Sequence, residues 1–227
     1  MGAGVALGFG LAVLTCAGPA AAQLSASLGV VSDYRLRGVP LTQGRGAVTF
    51  DVGYDHSSGA YANATLVGED NDERGVRLLG HAENLGFARR TAAGPTWDVG
   101  LSNVDFALYG DRRFALRYSE VYAGVIQGGL SAHLHYSPNY LKAGENTLYG
   151  EVNGVTRPAE NWRLSAHAGV FQRLDRPGPD GHHTRYDLRL AVTREFRNLE
   201  LEVGWATATP SQIEPQSSVL MGATVFF

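Results

Sequence analysis

Apolar and polar side chains alternate one by one along much of this chain. Near the C-terminus Leu199, Leu201, Val203 and Trp205 alternate with Glu200, Glu202, Gly204 and Ala206, giving an extended segment one apolar face and one polar or small face. The same period of two runs through Tyr186, Leu188, Leu190 and Val192, and through Trp162, Leu164, Ala166, Ala168 and Val170. It returns at Leu130, Ala132, Leu134 and Tyr136, and at Val219, Met221, Ala223, Val225 and Phe227. Weaker versions occupy residues 24–31, 47–54, 60–67, 75–88, 96–108, 118–127 and 146–155. The pattern predicts about twelve strands and no helix after residue 22.

Connection lengths add independent information. After every second strand comes mostly a tight turn, at residues 55–59, 89–95, 128–129, 156–160 and 197–198. Between these fall longer, more polar segments at 32–46, 68–74, 109–117, 137–145, 173–184 and 208–216. Sorting by parity is what an up-and-down barrel in a membrane does, with tight turns at one end and long loops at the other. A soluble sandwich, the rival reading, has no reason to sort its loops and would turn the apolar faces inward.

The N-terminus supports export. An apolar run containing Val5, Ala6, Leu7, Leu11, Val13 and Leu14 leads to Pro19 and Ala20-Ala21-Ala22, the pattern of a signal peptide cleaved after Ala22. The expected organisation is therefore a signal peptide over 1–22 and one β-barrel over 23–227. Cys16, the sole cysteine, lies in the leader, so a disulfide framework and a zinc ribbon are excluded. A net charge of −3 and a pI near 6.2 argue against a nucleic-acid partner. Among 9 Phe, 10 Tyr and 3 Trp, Tyr54, Trp97, Trp162, Phe196 and Phe227 fall at short-turn strand ends and Tyr136, Tyr186 and Trp205 towards long-loop ends. Two such belts match the two headgroup layers of a bilayer.

The segment Ser32-Asp33-Tyr34-Arg35-Leu36-Arg37-Gly38, together with Tyr136-Ser137-Pro138-Asn139-Tyr140 and the terminal Val225-Phe226-Phe227, resembles a proteobacterial family of outer-membrane porins of largely uncharacterised function. The terminal Phe227 also resembles the signal that outer-membrane barrels present to their assembly machinery. The resemblance implies a Gram-negative outer-membrane location with lipid and lipopolysaccharide as neighbours. It carries no catalytic residues and no cofactor.

If the apolar faces meet lipid, the opposite faces line a lumen. Arg77, Glu83, Asp98, Glu120, Glu151, Arg163, Arg185, Asp187, Arg189, Glu200, Glu202, His133, His135 and His167 then point inward. Such charges either brace neighbouring strands or set the ion preference of a wet pore. Twelve strands lie between the eight of a filled barrel and the sixteen of an open porin, so the expected activity is passive diffusion of ions or small solutes through a narrow charged lumen.

Two rivals remain. His135 and Ser137 share one strand face, as in a lipid hydrolase whose imidazole activates a hydroxyl, but that chemistry needs the pair on the lipid side. A closed structural or adhesion barrel would act through its outer loops. Asp180, His182 and His183 offer metal-ligand types, and residues 69–73 (Glu69, Asp70, Asn71, Asp72, Glu73) form an acidic cluster; both are expected to be solvated loop, with no metal bound.

Overall fold

The computed structural model describes residues 23–71, 75–106, 116–141, 143–178, 181–209 and 217–227. The proposed leader and its cleavage point lie outside them. Twelve long antiparallel strands close into a barrel, and a two-stranded hairpin sits apart from the wall. The wall strands are β1 (Gln23–Val31), β4 (Ala47–Asp55), β5 (Ala60–Asn71), β6 (Gly75–Arg90), β7 (Thr96–Asp105) and β8 (Arg117–Gln127). They continue with β9 (Leu130–Ser137), β10 (Thr147–Ala159), β11 (Trp162–Arg173), β12 (Thr184–Phe196), β13 (Leu199–Thr209) and β14 (Ser217–Phe226). The hairpin is β2 (Arg35–Leu36) with β3 (Val39–Pro40). Each wall strand pairs with its chain neighbour, and β1 pairs with β14 from Ser27↔Phe226 to Val31↔Gly222, so no strand edge is left open.

The alternation read from sequence sorts the two faces. Leu28, Phe50, Leu101, Leu134, Leu188, Leu201 and Met221 are exposed on the outside, while Thr49, Asp98, Glu120, His133, Arg163 and Asp187 between them are buried. An apolar exterior over a closed, fully paired sheet is the arrangement that hydrocarbon permits, because every backbone N–H and C=O finds its partner within the wall.

Three expectations are corrected. Residues 68–71 are strand and not loop: β5 and β6 stay paired out to Asn71↔Gly75, past a bulge between Val67 and Gly68. That bulge shifts the parity and hides the continuation from a period-two reading. Glu69 is accordingly no hydrated loop residue; it is buried in β5 and paired with Arg45 and Arg77. Asp72 and Glu73 lie outside the described residues. Residues 32–46, expected as a long polar loop outside, instead fold back into the barrel over 33–42, with 43–45 left exposed. Tyr34, Leu36 and Leu41 enter an apolar cluster with Val31, Val67, Val104, Phe106, Tyr118, Tyr140, Tyr149 and Phe171, so the long-loop half of the interior has a packed core. Its aromatic members meet directly, Tyr34 with Phe106 at 5.8 Å and Tyr140 with Phe171 at 4.7 Å.

Candidate functional site: the barrel interior and its inserted hairpin

Asp33 organises the inserted loop. Its carboxylate accepts from the Thr42 hydroxyl (3.0 Å), the Gly44 amide (2.9 Å) and Arg35 Nε (2.8 Å), all within one loop. Thr42 Oγ1 in turn accepts the Tyr34 amide at 2.8 Å. The tip is Arg37-Gly38, with φ of 48° and 73°, so both central residues are left-handed as a type I′ hairpin turn requires. Gly38 is needed twice over, since a Cβ there would also collide with Ala208 and Asp187 on the far wall.

The hairpin is pinned across the lumen. Arg35 Nη2 donates to Ser218 on β14 at 2.7 Å, and Arg37 Nη2 donates to Glu120 on β8 at 2.6 Å. The Arg37 guanidinium also lies 4.1 Å from the ring centroid of Tyr149 and 5.3 Å from that of Tyr118. Burial by itself would pull its pKa down; the Glu120 carboxylate outweighs this and holds the value well above that of ordinary arginine.

From the Arg37 seat a polar network spreads over the inner wall. His135 faces Glu120 at 2.9 Å and Glu151 at 3.7 Å. His133 Nε2 meets Asp98 at 3.0 Å with both side chains fully enclosed. Asp98 also accepts from Tyr61, whose hydroxyl is 2.5 Å from that of Tyr122. His167 bridges Asn153 and Asp187, each at 2.7 Å. Glycines make room for the rings: a Cβ at Gly100 would strike Tyr122, one at Gly124 would strike His133, and one at Gly169 would strike Tyr149. Towards the short-turn end, Arg163 reaches Glu195 (2.8 Å) and Glu200 (2.5 Å), and Arg189 pairs with Glu202.

The structure distributes the sequence-derived candidates unevenly. Asp98, Glu120, Glu151, His133, His135, His167 and Asp187 form ion pairs that ring contacts and Tyr149 join into one cluster, while Arg163 with Glu200 and Arg189 with Glu202 form two further pairs. Arg185 joins none of these and stacks over Phe171 at 4.8 Å. Arg77 goes to Glu69. Glu83 does not point inward: it lies on the outer face, bonded to Asn103 and His81, because the β6 bulge reverses parity along that strand. Tyr54, Trp97, Trp162, Phe196 and Phe227, and likewise Tyr136, Tyr186 and Trp205, are all exposed on the exterior.

His135 and Ser137 are both buried inside. The Ser137 hydroxyl donates to the Ser119 carbonyl at 2.7 Å, so the lipid-facing pair a hydrolase needs is not present. His182 and His183 are exposed, Asp180 lies outside the described residues, and no group of three metal-ligand types gathers among the described residues. The residues missed from sequence are Arg37, Tyr118, Tyr122 and Tyr149; the tyrosines sit at inward parity and were discoverable there, whereas nothing in the loop's composition signalled that it folds inward.

A model of bacterial proteins of unknown function, Gcw_chp, matches residues 15–209. The chain belongs to this family. No protein of curated function matches it. Among solved structures, the family's barrel is similar to the NanC porin, with a TM-score of 0.57 at 7% identity over 89% of this chain and 99% of that one. It is also similar to the KdgM porin in complex with disordered oligogalacturonate, with a TM-score of 0.54 at 10% identity over the same shares. At these identities the likeness is one of fold.

Proposed function

We propose that this Gcw_chp member is a porin-like channel of the bacterial outer membrane, passing ions or small solutes through a lumen constricted by its first loop. The observation that carries this reading is the orientation of the wall: an apolar exterior around an interior of ionised side chains, in a barrel whose fold is that of two porins. A lumen built for packing alone is more economically filled with apolar residues, since buried ion pairs recover little more than their desolvation cost. Charge kept inside instead suits passage of polar solutes, with Arg163, Arg189, Glu200 and Glu202 tuning preference at the short-turn end. In this reading the exterior neighbours are lipid and lipopolysaccharide, and the exposed Phe227 is what the assembly machinery recognises.

Planar-bilayer recordings of the refolded chain lacking residues 1–22 test the proposal. Discrete, ohmic conductance steps are expected, small in the native chain and several-fold larger when residues 35–40 are replaced by a short Gly-Ser linker. A second reading, a closed structural barrel, is favoured by the burial of Tyr34 and Leu36 at 1% exposure each. It predicts a silent bilayer for both proteins.

A further inference from the structure

The Arg37 side chain is itself shaped like a ligand. Arg37 brings a guanidinium from a loop onto a wall that supplies one carboxylate, Glu120, and two aromatic faces, Tyr149 and Tyr118. A carboxylate with flanking rings is how proteins recognise free organic cations. The neighbouring strands carry carboxylates and imidazoles, and His135 already faces Glu120 at 2.9 Å. Among the described residues, the inward faces of β7, β8 and β9 carry Asp98, Glu120, His133 and His135 and no arginine or lysine, and β10 adds Glu151 beside Tyr149. The fixed cation this wall receives comes from the loop.

A second observation is independent of that chemistry. Arg37 occupies the first central position of a type I′ turn with φ of 48°, where Asn, Asp or Gly is favoured and a long side chain is strained. Arg197 takes the same φ of 48° in the β12–β13 turn, so what singles out Arg37 is the seat its side chain meets. Tyr149 is held over Gly169, where a Cβ would collide with the ring, so the seat is preformed by the wall and not by the loop.

We infer that the Glu120–Tyr149–Tyr118 seat is a binding site for organic cations bearing a guanidinium or primary ammonium group, which the first loop occupies with Arg37 as a tethered substitute. Entry of such a solute displaces the hairpin. The inference deepens the channel reading by naming its solute class, and it separates this chain from the KdgM porin, whose complex holds a polyanion.

The test uses agmatine as the cationic probe and glutarate as an anionic one of similar length, on refolded native protein, Arg37→Asn, and Arg37→Asn with Glu120→Gln. Asn suits the turn, and a folded barrel is verified by heat-modifiable gel mobility; Arg37→Gly repeats the test should Asn fail to refold. Calorimetric titration in micelles should show agmatine binding Arg37→Asn at least about tenfold more tightly than native protein, with the gain lost on Glu120→Gln. Glutarate should show no gain. In bilayers under a KCl gradient, the reversal potential of Arg37→Asn should move towards cation preference and return with Glu120→Gln. Equal agmatine affinity in native and Arg37→Asn proteins, or an equal gain for glutarate, overturns the site. A gain in agmatine binding with no conductance in any variant upholds the site and overturns the channel reading.

Discussion

At the scale of single residues, the interior works because large rings and small wall positions were matched. Tyr122 lies against Gly86 and Gly100, and His133 against Gly124. Gly124→Ala should therefore destabilise the barrel by about 1–3 kcal/mol, since the imidazole fixed by Asp98 has nowhere to go. Gly150→Ala, whose Cβ would meet only Leu134 at an ordinary 3.7 Å, should be near neutral. Urea unfolding of the two variants in micelles compares them directly. Ion pairs add a second expectation. Arg163→Met should cost about 1–3 kcal/mol by stranding Glu200, while Glu195 keeps Arg157, and adding Glu200→Met should recover part of the loss. Where parity is unbroken, as at His135 and Asp187, the face expected from alternation is the buried one, whereas at Glu83 one bulged position reverses it.

At the scale of elements, the strands were legible because their outer faces are uniformly apolar. Expected segments 47–54, 118–127 and 130–136 are the observed Ala47–Asp55, Arg117–Gln127 and Leu130–Ser137 within a residue. Strand ends beyond the apolar belt were not legible where both faces are polar and the alternation disappears, as at the outer end of β5. The first loop was misread for a related reason. Ser32, Asp33, Arg35 and Arg37 look hydrated, yet Asp33 consumes the loop's own donors and Arg35 and Arg37 are spent on β14 and β8. Composition records polarity and not where the partner is. Tyr34→Ala with Leu36→Ala should remove the loop's apolar anchor while leaving the wall intact. Limited trypsin digestion should then cleave after Arg35 or Arg37 at a rate at least about tenfold above native, since cleavage follows local opening.

For the whole molecule, the orientation of the wall decides everything else. Barrel closure, the lumenal charge, the inserted loop and the proposed cation seat all presuppose lipid outside and polar groups inside. Substituting Leu190 or Val203 with Arg on the outer face should cost about 2–4 kcal/mol near mid-membrane, whereas a soluble protein would accept a charge on an exposed strand face. The three tryptophans, Trp97, Trp162 and Trp205, report the same point without substitution, because all are exposed on the exterior. Refolding the chain into vesicles containing lipids brominated along the acyl chains, and recording tryptophan fluorescence, is the most direct measurement. Strong quenching by the brominated lipid with little quenching by aqueous iodide is the result this structure predicts. Quenching by iodide with no response to bromine would place those rings in water and contradict it.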